Sequence, residues 1–163
     1  LATRRKPFQD SPTPAGNPVA AIALMRLHAY NNQPADREKA EQILHLLAGL
    51  GGKFGIFAAT YGIAAAHFSQ PHTQVVIVGD DDLAAQLYNA ATSVFGSTQS
   101  VLKLSSNEAV AQNLPPSLAA PIPQLTGVTK GKSAAILCSG FTCQPPVFDP
   151  ETLRRNLAYT LKA

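Results

Sequence analysis

From Pro18 to Asn32 the chain reads PVAAIALMRLHAYNN, apolar on nearly every side, and such a pattern predicts a helix buried by neighbours on several faces. Asn17 ahead of Pro18 reads as its start, with the amide side chain as cap and proline in the first helical position, where its missing N–H is harmless. After Pro34 and Asp36 the apolar residues Ala40, Ile43, Leu44, Leu47 and Leu50 recur at helical spacing, and Gly49, Gly51 and Gly52 are expected to end that helix. A third helix, from about Phe54 to Phe68, carries Phe57, Tyr61, Ala64 and Phe68 along one stripe. Three apolar helices joined by short turns make residues 1–70 an all-helical portion.

At Pro71 the period changes. QVVIV, Gln74 to Val78, is a short β-branched run and predicts a strand covered on both faces. Asp80 to Asp82 open a helix over DLAAQLYNAATSVF, whose Leu83 and Leu87 would pack back on that strand. VLKL (Val101 to Leu104) reads as a second strand, SSNEAVAQNL as a short helix capped by Ser105 or Ser106, and SAAILC (Ser133 to Cys138) as a third strand. Between them lies an irregular, proline-rich connection from Leu114 to Lys132. Asp149 and Pro150 begin a last helix with Leu153, Leu157 and Leu161 inward. Strands alternating with helices predict an α/β unit over residues 71–163, with three strands in a parallel or mixed sheet and flanking helices, and an α+β chain overall.

The chain is 45% hydrophobic and only 14% charged, which suits a folded core and leaves apolar surface for a partner. Its net charge of +3 is dispersed apart from Arg4, Arg5, Lys6 and the pair Arg154 and Arg155, so no basic stripe points to nucleic acid. The start is polar and proline-rich without the apolar core of a signal peptide, and it lacks Met, as expected of a processed chain or a piece of a longer one. The tract from Phe54 to Phe68 is shorter than the ~20 residues needed to cross a bilayer and reads as a buried helix, so no membrane partner is expected. Two cysteines are no disulfide framework and suggest a reducing, cytoplasmic setting.

Those cysteines, Cys138 and Cys143, are the candidate thiol pair. A zinc site needs a second ligand pair, and thioredoxin-like redox work needs C-x-x-C spacing; neither is met. The bland reading is a buried Cys138 packed as a small hydrophobe with Cys143 fixing a turn, while a disulfide between them stays geometrically open. The run GDDD after the first strand resembles an Mg²⁺-binding acidic pocket but lacks a later aspartate, so helix capping explains it. Gly131, Lys132 and Ser133 imitate a P-loop, yet Gly127 stands one position too near and the triplet precedes a strand. His28, His45, His67 and His72 show no ligand spacing, and neither metal nor cofactor is expected. The loop DSPTPAGN leads into the first helix, so Asp10 and Asn17 are placed to offer polar groups to a cavity among helix ends.

DSPTPAGNPVAAIALMRL resembles the D-x-x-x-P-x-G-N-x-x-A-A-x-x-L-x-R-L segment of the spermatogenesis-associated protein 20 family, whose bacterial members carry a thioredoxin-like domain followed by a glycosidase-like helical toroid. QPHTQVVIVG and AAILCSGFTCQPPVFDPETLRRNL are similar to the C-terminal end of the same family, with its strand of type P-x-x-V-V-I-V-G and closing F-x-C-x-x-P-V. The resemblance covers the chain in order, leaving Leu114 to Lys132 without a motif. It implies a C-terminal part of such a protein: closing helices of a toroid like that of N-acylglucosamine 2-epimerases and six-hairpin glycosidases, then a family-specific α/β cap. Asp10, Gly16 and Asn17 would lie on a loop at the mouth of a sugar-type cavity, the catalytic residues themselves being unknown, and the implied partner is the rest of the polypeptide. Cys143 matches the F-x-C position, and the thioredoxin-like domain with its own cysteines lies outside this sequence.

Three readings follow, the third being a thiol switch through Cys138 and Cys143. In the first, the chain is not catalytic alone, leaves apolar helix faces uncovered and self-associates in isolation. In the second, it is a free-standing α/β module that binds a small ligand or nucleotide at strand ends near Gly79 to Asp82 and Ser139 to Cys143.

Overall fold

The computed structural model describes residues 8–124, 131–140 and 142–161. Arg4, Arg5, Lys6, Gly127 and Phe141 therefore lie outside the described residues. The chain divides into two compact units, Leu1–Gln70 and Pro71–Ala163.

The first unit holds α1 (Gly16–Asn31), α2 (Pro34–Phe54) and α3 (Ala59–Ser69), with a 3₁₀ turn at Gly55–Ala58. Its core is Ala21, Met25, Ala40, Leu44 and Ala64, with Ile22, Ile43, Tyr61 and Phe68 packed around it. Three expectations need correction. Helix α1 begins at Gly16, its N-cap is Ala15, and Asn17 lies inside the first turn without capping it. Helix α2 runs through Gly49, Gly51 and Gly52 and stops only at Gly55, whose φ of 52° lies where side chains are disfavoured. Packing of α2 along α1 outweighs the ~1 kcal/mol that each interior glycine costs a helix.

The third correction concerns burial. Helix α3 buries Thr60, Ala64 and His67, whereas Phe57 and Ile63 are 53% and 50% exposed. Helix α1 likewise buries Pro18, Ala21 and Met25 but leaves Val19, Leu27 and Tyr30 exposed. By length and composition the run Pro34–Ser69 passes for a membrane-crossing helix. It is divided by the turn at Gly55–Ala58, and Ala40, Leu44 and Ala64 within it pack in the core.

The second unit is an α/β fold around a mixed four-stranded sheet in the order β2-β1-β3-β4. The strands are β1 (Thr73–Val78), β2 (Gln99–Leu104), β3 (Ala134–Ser139) and β4 (Thr142–Cys143), one more than the sequence suggests. Helix α4 (Asp82–Thr92) links β1 to β2, which run parallel from Thr73↔Gln99 to Val78↔Leu104. Strand β3 is antiparallel to β1, from Thr73↔Ser139 to Val78↔Ala134, and turns at Gly140 into β4.

Both faces of β1 are covered, which is why its sequence shows no alternation. On one face Val75, Ile77, Ala135 and Leu137 meet Leu87 and the alanines of α4, plus Leu153 and Leu157 of the last helix, α6 (Pro150–Thr160). On the other, Val76, Val78, Ile136 and Cys138 meet Ala109, Leu114, Leu118 and Ile122. The described first part of the proline-rich connection, residues 114–124, is thus a covering layer, with α5 (Pro116–Ala119) and a 3₁₀ turn at Ile122–Gln124. The helix expected after Ser105 does not form. Ser105 and Glu108 make reciprocal capping bonds, but Ala109 and Leu114 cannot both reach the sheet from one helix face, and the chain instead forms a turn and then a 3₁₀ turn at Ala111–Asn113.

Candidate functional site

The loop before α1 is tied down by Asp10. Its Oδ1 accepts from Ala15 N–H at 2.7 Å and its Oδ2 from Thr60 N–H at 2.8 Å, while its own N–H donates to Phe57 O. One carboxylate thus fastens the entry to α1 onto the first turn of α3. The Thr60 and then the Ala15 N–H hold the Asp10 carboxyl below its ordinary 3.8. Gly16 is exposed with open space around it, and Asn17 is half-buried beside it. The structure therefore places Asp10 on the loop that enters α1 and Gly16 and Asn17 in the first turn of that helix, with Asp10 as the clamp between them. Thr60 is the partner that the sequence reading missed.

At the carboxyl end of β1 the acidic run is divided by role. Asp81 caps α4, its Oδ1 accepting from Ala84 N–H at 2.9 Å, and the same oxygen accepts from Ser133 Oγ at 2.5 Å. The Ser133 hydroxyl, then the Ala84 N–H, keep the Asp81 carboxyl below its ordinary value. Asp80 accepts from Ser106 N–H. A cavity of about 390 Å³ opens here, lined by Asp81, Leu83, Gly131, Lys132, Ser133 and Phe148.

The strand-end site of the second reading does not assemble as expected. Because β3 is antiparallel, Ser139 to Cys143 lie beside Thr73 and Gln74 at the opposite end of the sheet from Gly79 to Asp82. The residues that join Asp81 are Lys132 and Ser133 at the start of β3. Strand direction is invisible in a continuous apolar run, and the sequence held no other signal for it.

Cys138 and Cys143 form a disulfide, the alternative left open beside the reading of two unlinked residues. The turn at Gly140 makes them directly opposed, with Cα atoms 4.0 Å apart. The ladder bond from Gln144 N–H to Leu137 O falls on the next pair, so the cysteines occupy the non-hydrogen-bonded position, where opposed side chains are closest. Among the described residues no group of three His, Cys, Asp or Glu is placed to hold a metal. His67 is buried in the helical unit, and burial, then the Arg26 charge, lower its pKa. His72 bonds Ser100 Oγ at 3.0 Å.

Asp149, the cap of α6, is held below its ordinary value by the Thr152 N–H, and Glu108 by Ser105. With Asp10 and Asp81, these carboxyls are more acidic folded than unfolded. Their stabilisation is complete above the unfolded values and is lost as pH falls through the lowered folded ones. Stability is therefore expected to fall off only below about pH 4. Asp10→Asn should remove part of this dependence from α3 and leave β1 unchanged, which amide exchange between about pH 3 and 7 would read separately for each unit.

Set against protein-family models, curated proteins and solved structures, the chain gives no significant match.

Proposed function

We propose that this chain is the C-terminal part of a longer protein of the spermatogenesis-associated protein 20 type and is not catalytic by itself. In this reading the helical unit lends the loop from Asp10 to Asn17 to a sugar-type substrate cavity in a toroid, and the α/β unit is a cap. The partner is the rest of the same polypeptide, with its thioredoxin-like domain and remaining toroid helices. The resemblance in three ordered motifs supports this reading.

The observation that carries the reading is the apolar surface left uncovered on the helical unit. Leu46 and Ile56 are 81% and 82% exposed, and Phe57 and Ile63 are each about half exposed. Scattered single leucines on a surface are ordinary, but uncovered residues on successive helical segments of so short a unit call for neighbouring helices. The clamp by Asp10 suits a cavity loop as well. A loop that presents groups to a substrate must be held before binding, and a carboxylate taken up by two backbone N–H groups positions the loop and does not itself act as acid or base.

An antibody raised against these residues, used on extract of the source cells, is expected to detect a band several-fold larger than 17.2 kDa. A band at that size would overturn the proposal. The isolated polypeptide is expected to self-associate in sedimentation runs, and Leu46→Ser combined with Ile56→Ser should shift it towards monomer while leaving the unfolding transition within about 0.5 kcal/mol.

A further inference from the structure

Four side chains stand in one row across the sheet of the α/β unit. Ser100 on β2 is opposite Gln74 on β1, Gln74 is opposite Cys138 on β3, and Cys138 is opposite Cys143 on β4. Opposed residues share a face, with Cβ atoms about 4.5–5.5 Å apart. Gln74 is thereby the neighbour of the disulfide on the inner side, in a strand whose next four residues, Val75 to Val78, are all apolar and fully buried. His72, of the same parity as Gln74, joins this end of the row through Ser100 Oγ.

The two sulfurs differ in access. Cys138 is 4% exposed, whereas Cys143 is half-buried on a two-residue strand at the edge of the sheet. The bond does little that the fold does not already do. It closes a very short loop, which removes little chain entropy, and the hairpin is already aligned by its ladder. Strand β3 is held independently by its six pairs with β1, and the chain after β4 is re-anchored where Ala135 and Val147 exchange both backbone bonds.

We propose that Cys138–Cys143 is a reversible redox site that exchanges with an external dithiol, with Cys143 as the sulfur attacked and Gln74 as the residue that positions and stabilises the leaving Cys138 thiolate. The inference is independent of the reading above. A thiolate of the reductant attacks Cys143 Sγ, a mixed disulfide forms, and the bond to Cys138 breaks with its electron pair left on Cys138 Sγ. The second thiol of the reductant then closes on the first, releasing Cys143 as thiolate. Both thiolates take up protons from solvent, and the dithiol leaves oxidised by two electrons. Burial alone would make Cys138 a poor leaving group, since a charged sulfur among apolar residues loses its hydration. An amide N–H from Gln74, opposite Cys138 in the register, would offset this by bonding the charged form.

Oxidised protein would be titrated with dithiothreitol at neutral pH, alkylated and weighed intact, with amide exchange followed in parallel. The expected result is addition of two alkyl groups, with faster exchange confined to residues 142–146 and with β1 and β3 still protected. Gln74→Met and Gln74→Leu, both close in volume, should slow reduction about five-fold and move the pH midpoint of Cys138 alkylation upward. A merely structural Gln74 would move neither. Resistance to reduction until the sheet itself unfolds, or wild-type rates and pH midpoint in both variants, would overturn the proposal.

Discussion

Gly79→Ala is expected to cost the α/β unit about 4 kcal/mol, a large part of the total stability of a domain this size. Gly79 follows β1 with φ at +138°, a region that L side chains rarely adopt. A Cβ built there would lie 1.9 Å from Ser133 Oγ and 2.9 Å from Ser133 Cα, and the second of these is backbone. Neither side can yield cheaply. The Gly79 N–H is bonded to Leu104 O, which continues the β1–β2 ladder, and Ser133 immediately precedes β3. The displacement would also break the Ser133 hydroxyl's bond to Asp81, and with it part of the cap on α4. Amide exchange of β1 and β3 against urea would measure the loss without contribution from the helical unit. Adding Ser133→Gly should recover only part of it, because the positive φ and the close Cα remain. A Gly79→Ala protein within 1 kcal/mol of wild type would mean that β1 and β3 do not approach in this way.

The close approach at Gly79 belongs to what the sequence hides. Local features were legible: Asp81 and Asp149 cap helices whose N–H partners stand three residues on, and a three-residue relation shows in any linear reading. The position of the sheet and the inward leucines Leu153 and Leu157 were legible too, because hydrophobic period reports burial. Relations across distance were not. Asp10 bonds Thr60, fifty residues away, so the loop was given to an Asn17 cap that does not exist. The direction of β3 depends on its neighbours and not on its composition, so the two strand ends thought to share one site fell at opposite ends of the sheet.

The cysteines show the same limit from the other side. Their spacing fits neither a paired zinc-ligand set nor C-x-x-C chemistry, and it gives no sign of which way the two side chains face. Only the hairpin register, set by the turn at Gly140, makes positions 138 and 143 face each other. Gln74 carried a faint signal, as a polar residue next to an unbroken apolar run. It gained meaning once β3 was placed beside it.

Leu157→Ala is expected to lose about 3–4 kcal/mol, the upper part of the range for buried leucines. Leu157 and Leu153 are fully buried where α6 covers α4 and one face of the sheet. The cost depends on how far the surroundings can collapse into the space left behind. Here they are short or stiff: Ala84, Ala90 and Ala91 from α4, and Val75 and Ile77 fixed on β1. With few longer side chains in the cluster, Leu83, Leu87, Leu137 and Leu153, able to move, most of the cavity should persist. Leu161→Ala, at a half-buried position, should cost clearly less, and a loss below about 1 kcal/mol at Leu157 would show that α6 does not dock on this face. The same substitution reaches the redox site. Val147 is tied to β3 and Asp149 caps α6, so the helix and the bridge together restrain the segment that follows Cys143. Loosening α6 should therefore raise the rate at which dithiothreitol opens Cys138–Cys143, the opposite of the change expected for Gln74→Met.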